Sequence, residues 1–142
     1  MKHIFLRSFA GAALLFSGLS TTVAQDRDRD DYYSQRDAFF HQEHWRARLF
    51  QRVRDDLDRV QSTTFPASRD ELRIVRTKEE LGELQEKLAD HRYDEAQLND
   101  VIAGLQRVID SNKLSGRDRD MLSDDLSRMR DYREHHEDWD RW

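Results

Sequence analysis

Cysteine is absent from this 142-residue chain, which excludes a disulfide framework, a thiol nucleophile and a cysteine-held metal. Proline occurs once, at Pro66, and glycine five times, twice within the first 18 residues. A chain so poor in breakers, and so rich in Arg, Asp, Glu, Leu and Gln, reads as helical. Excess positive charge is lacking too. The formal net charge is −5. Removing Lys2 and Arg7 with the first 24 residues leaves 22 basic against 29 acidic residues, a net of −7. Nucleic acid is therefore not the expected partner, because phosphate neutralisation needs clustered positive charge. Catalytic signatures are also missing: there is no G-x-S-x-G elbow, no phosphate-binding glycine loop and no dinucleotide fingerprint. The many carboxylates read as solubilising surface groups, since no pair stands out as one poised across a cleft. The sequence reads as non-enzymatic and calls for no cofactor.

What is present starts with an address. Lys2 and Arg7 form a basic start, Phe9 to Leu19 are almost wholly apolar, and Thr22-Val23-Ala24 supplies small residues before Gln25. This is the layout of a secretory signal peptide over residues 1–24, with the cut after Ala24. The apolar core is shorter than the roughly 20 residues a membrane-spanning helix needs. The expected mature protein is periplasmic or secreted and has no membrane span.

Residues 25–37 are nearly all Arg, Asp, Tyr and Gln without an apolar period, and are expected to form a disordered arm. Residues 38–142 then carry four amphipathic segments. In the first, about 38–61, Phe39, Leu49, Phe50, Val53, Leu57 and Val60 share one sector, and the loop around Pro66 ends it. The second, about 69–89, opens on the capping box Ser68-Arg69-Asp70-Glu71. Its stripe is irregular: Leu72 and Val75 lie on one side, and Ile74, Leu81, Leu84 and Leu88 lie nearly opposite. A second capping box, Thr77 to Glu80, allows a break near Thr77; the alternative is one continuous helix with Leu72 and Val75 against the Phe65 loop. The third, about 95–111, is capped by Asp94 and carries Leu98, Val101, Ile102, Leu105, Val108 and Ile109 at helical spacing. Asn112 is expected to end it in the left-handed conformation. The fourth, about 116–137, is capped by Ser115 and carries Met121, Leu122, Leu126, Met129 and Tyr132. Four stripes joined by short connections imply an all-α fold, a small antiparallel up-down four-helix bundle.

Two groups of side chains bear on function. His41 and His44 are three residues apart, and His135 and His136 lie near the far end of the chain. An up-down bundle brings both pairs to one pole, where imidazoles would suit a divalent metal. The alternative is two surface pairs, since His41 and His44 fall opposite the apolar stripe. His91, near a helix end, reads as a dipole partner. Aromatics gather at the same pole, among them Tyr32, Tyr33, Phe39, Phe40, Trp45, Tyr132, Trp139 and Trp142. They read either as a cap closing the bundle or as a partner-binding patch, with Trp45, Tyr132, Trp139 and Trp142 its candidates for a protein partner or a second copy. Asp110 to Asp118 superficially has the look of a calcium loop. It lacks the twelve-position length and the middle ligands, and a helix end followed by a helix start explains it.

Leu114-Ser115-Gly116-Arg117-Asp118, opening an Arg- and Met-bearing helix, resembles the Leu-Thr-x-x-Gln motif of the Spy/CpxP-like periplasmic chaperones and their metal-resistance relatives. Ser115 stands for Thr and Asp118 for Gln, and the similarity covers about 25 residues. The resemblance implies an envelope-stress protein that binds unfolded clients or metal. Beside it stands a structural, self-associating envelope component.

Overall fold

A computed structural model of the chain describes residues 21–41 and 45–139, with the side chains of 21–27, 46–47 and 138–139 left out. The described residues form five α-helices and one 3-10 turn and contain no strand, so the fold is all-α. Most of the expected signal peptide lies outside them.

The first helix, α1, spans Thr21–Phe40. It corrects the expectation of a disordered arm over 25–37. No glycine or proline interrupts the chain between Gly18 and Pro66. Arg and Gln are good helix formers, and the alternation of Asp and Arg sets opposite charges three residues apart in the sequence. Those local terms favour helix without an apolar stripe. The helix belongs to a compact unit of its own that ends at His41. Within it Phe39 and Phe40 meet edge to face at 5.4 Å, and Arg36 lies 4.7 Å over the Phe40 ring.

The second unit begins at Gln42. A 3-10 turn, Trp45–Arg48, leads into α2, Leu49–Thr63, followed by α3, Arg69–Ala89, α4, Glu95–Ser111, and α5, Gly116–Trp139. The first amphipathic segment thus starts as an α-helix eleven residues later than expected, whereas the starts of the other three fall where the sequence places them. Helix α3 packs on α4, α4 on α5, and α2 on both α3 and α5. The core between them holds Leu49, Leu57, Ile74, Leu81, Leu84, Leu98, Leu105, Leu122 and Met129, all fully enclosed.

The helix ends follow their capping chemistry. The Glu71 amide donates to Ser68 Oγ at 3.1 Å, and Glu71 Oε2 accepts from the Ala67 amide at 2.5 Å. The Gln97 amide donates to Asp94 Oδ1 at 3.0 Å, while Lys87 Nζ reaches Asp94 Oδ2 at 2.7 Å and ties the end of α3 to the start of α4. Helix α3 ends with His91 in the left-handed region (φ 57°) and the Arg92 amide bonded to the Lys87 carbonyl at 2.9 Å. His91 therefore closes α3 through its backbone.

Asn112 departs from its expected role. Its backbone is extended (φ −87°, ψ 152°), because its carboxamide is drawn to α3: Nδ2 donates to the Asp70 carbonyl at 2.9 Å and Oδ1 accepts from Arg73 at 3.2 Å. Helix α3 itself is continuous, with no break near Thr77. The Thr77 side chain is buried mid-helix and its hydroxyl donates to the Arg73 carbonyl at 2.8 Å. Opposite it stands Gly104 of α4. A Cβ there would lie 2.8 Å from Thr77 Oγ1 and 2.9 Å from Glu80 Oε2, so the missing side chain permits the close approach of α3 and α4.

Candidate functional site

Imidazoles at a helix end have two uses, metal ligation and bonding the carbonyls that the last turn leaves without amides. In helix α5 the Nδ1 of each histidine lies against a main-chain carbonyl of its own helix. His135 has non-helical dihedrals (φ −128°, ψ 20°) and marks a kink. Its Nδ1 sits 3.1 Å from the Asp131 carbonyl and 3.2 Å from the Asp131 carboxylate. His136 Nδ1 sits 3.3 Å from the Arg133 carbonyl, and its ring lies flat on Tyr93, centroids 3.7 Å apart and planes within 4°. His41 is exposed at the end of the first unit, and His44 falls outside the described residues. Among the described residues no three His, Asp or Glu side chains converge as a metal site.

The aromatic pole is built partly from residues the sequence reading did not assemble. Tyr132 is buried, with the Phe50 ring edge-on at 4.9 Å and Tyr93 tilted at 6.4 Å. Trp45, half-buried, lies beneath the Arg128 guanidinium at 4.8 Å. Of the expected patch, Tyr132 is thus a packing residue and Trp45 is covered by a cation; the Trp139 side chain and Trp142 lie outside the described residues. Phe50, on α2, and Tyr93, in the α3–α4 loop, complete the cluster. Among the described residues the buried Tyr93 hydroxyl has no hydrogen-bond partner. Burial, with a smaller contribution from the Glu95 carboxylate, raises its pKa above the ordinary tyrosine value, against the lowering effect of Arg133.

The carboxylates are not uniformly solubilising. Asp56 on α2 and Asp125 on α5 are fully enclosed, and both are engaged by neighbouring groups. Asp118, also buried, exchanges bonds with Ser115: its amide donates to Ser115 Oγ at 3.1 Å, and the Ser115 hydroxyl donates to its carboxylate at 2.6 Å. Capping of α5 accounts for the spacing of Leu114 to Asp118.

Exposed apolar surface lies elsewhere, at the corner between α2 and α3. Phe65 is 80% exposed and Leu72 63% exposed. They are the large apolar side chains left in solvent among the described residues. Leu72 shares an outward face of α3 with Arg69 and Arg76, both exposed. The signal for this corner was in the sequence, as an aromatic beside Pro66 and a leucine out of phase with its helix. Comparison of the chain with protein-family models, with curated proteins and with solved structures gives no match.

Proposed function

We propose that the chain is an exported, non-enzymatic helical protein that acts by binding a protein partner through the Phe65–Leu72 corner. The carrying observation is the exposure of those two side chains on a surface otherwise dominated by charge. Burying a Phe and a Leu in a partner would contribute about 1.5–3 kcal/mol each, before the entropic cost of association. Arg69 beside Leu72 sets the chemistry of the partner, an apolar side chain next to a carboxylate; Arg76 Nε already pairs with Glu80 at 3.3 Å. Arginine is well suited to such pairs, because its planar fork bonds carboxylate oxygens bidentately. Export rests on the basic, apolar and small-residue layout of residues 1–24.

A photo-crosslinking residue placed at Phe65 or Leu72 in the exporting cell tests the proposal. A discrete adduct is expected at both positions, and none at Glu83, which is equally outward on the same helix. Adducts at Glu83 as strong as at Phe65 would refute a specific corner. The adduct's size separates the remaining readings. A Spy/CpxP-like chaperone gives a heterogeneous set of clients and slows aggregation of a heated protein, whereas a self-associating component gives the mass of two copies. Cell fractionation tests the address: the protein should be periplasmic or secreted and begin at Gln25, and cytoplasmic protein retaining Met1 would overturn it.

A further inference from the structure

We propose that the groove between α2 and α3 is a binding site for a small organic monocarboxylate, held by Arg54. The groove has a volume of about 480 Å³ and is lined by Arg54, Gln61, Val75, Lys78, Glu79 and Gly82. That size falls in the range of small-molecule sites, about 300–1,000 Å³.

Its cations are in different electrostatic conditions. Lys78 Nζ is neutralised by the Asp58 carboxylate and also donates to Gln61 Oε1 at 2.9 Å. Arg54 is half-buried, and its partners are neutral: Nε donates to Gln85 Oε1 at 3.2 Å and Nη2 to the Lys78 carbonyl at 3.4 Å. It makes no ion pair among the described residues. Guanidinium stays charged at any physiological pH, and a cation drawn partly out of water gains most from an anion.

The guanidinium is also fixed in place. A Cβ at Gly82 would come within 3.0 Å of Arg54 Nη2, so the bare α3 backbone provides the notch in which the group lies. With Nε and one Nη2 hydrogen engaged, the Nη1 hydrogens remain to bond a carboxylate. Val75 offers an apolar surface beside it for the body of the ligand. Asp58 and Glu79 disfavour a second negative charge, so a monoanion is selected over a phosphate dianion. This site is independent of the Phe65–Leu72 corner, and either could fail alone.

The test is a titration of the full chain with sodium benzoate, neutral benzamide and inorganic phosphate, following the Gly82 amide by NMR. Benzoate should give a saturable shift with a dissociation constant on the order of 1 mM. Benzamide, the same shape without the charge, should bind about tenfold more weakly, the scale of a charge-assisted bond. Arg54→Gln should lower benzoate affinity about tenfold while leaving benzamide unchanged. Glu79→Gln, which removes a competing charge, should tighten benzoate roughly two- to threefold. Equal binding of benzoate and benzamide, unchanged affinity in Arg54→Gln, phosphate binding as tightly as benzoate, or no saturation at Gly82 would each overturn the site. Should Arg54→Gln fail to fold, the benzoate–benzamide contrast and Glu79→Gln still decide.

Discussion

Replacing Gly104 by alanine sets two effects of opposite sign against each other. In a helix interior, glycine is less favourable than alanine by about 0.8–1.0 kcal/mol, so Gly104→Ala should stabilise α4 if nothing faced it. The structure puts Thr77 and Glu80 of α3 there, with a new Cβ only 2.8 Å from Thr77 Oγ1, 2.9 Å from Glu80 Oε2 and 3.2 Å from Thr77 Cγ2. Glu80 can yield, being the end of a flexible side chain. Thr77 cannot, because its hydroxyl is bonded to the Arg73 carbonyl and its side chain is buried. Overpacking of this kind costs about 1–3 kcal/mol, so the expected net is a loss of about 1 kcal/mol. For a unit of roughly 100 residues that lowers Tm by about 4–8 °C. Urea midpoints of Gly104→Ala, Thr77→Ala and the double variant form the assay. With Thr77 truncated, Gly104→Ala should become neutral or stabilising, giving a coupling of about 1–2 kcal/mol. A stabilised Gly104→Ala in the wild-type background, or the same effect in both backgrounds, would refute the close α3–α4 contact.

Tyr93→Phe should stabilise the protein by about 1–2 kcal/mol, because it removes a buried hydroxyl that has no partner among the described residues while retaining the stack on His136. Tyr93's raised pKa means that its neutral form contributes stability below pH 10, lost as pH rises through the folded value. Thermal melts from pH 9 to 12 should show that alkaline loss reduced in the variant, and a destabilised Tyr93→Phe would show that the hydroxyl is bonded. Asp94 behaves oppositely: the Lys87 side chain, and after it the Gln97 amide, hold its carboxyl below the usual range. Its ion pair therefore contributes above the ordinary carboxylate value and is lost as pH falls below about 4 through the lowered folded value. Asp94→Asn retains the cap but not the charge, so urea midpoints between pH 2 and 5 should flatten relative to wild type.

Legibility of the fold tracked the strength of local chemistry. Helix α3 begins at the Ser68 capping box, α4 at Asp94 and α5 after Ser115, where a side-chain oxygen takes an orphan amide regardless of tertiary context. The segment expected to run from residue 38 has no such cap. Its apolar phase is set by Leu49, Val53, Leu57 and Val60, and Phe39 matches that phase by arithmetic alone; the chain instead enters α2 through a 3-10 turn. Residues 25–37 were misread because absence of an apolar stripe was taken as absence of helix. An apolar stripe predicts what a helix buries, and good helix formers with opposite charges three residues apart favour helix without it.

The candidate site was less legible because it depends on residues out of register with the helices that carry them. Ile74, Leu81 and Leu84 set the buried side of α3, which leaves Leu72 on the outside with nothing in the described structure to cover it. The sequence showed the conflict and offered two resolutions, a break near Thr77 or packing against the Phe65 loop. The structure has the continuous helix of the second, and leaves both Phe65 and Leu72 largely in solvent. For the histidines the sequence offers a shared pole, from up-down topology, or two separate surface pairs. Nδ1 of His135 lies by the Asp131 carbonyl and Nδ1 of His136 by the Arg133 carbonyl, beside the kink at His135, and Tyr93 takes one ring face of His136. A histidine near a helix end is thus engaged first by the backbone beside it. An apolar residue forced off the core stripe has no such local use, and its exposure is the stronger sign of a partner.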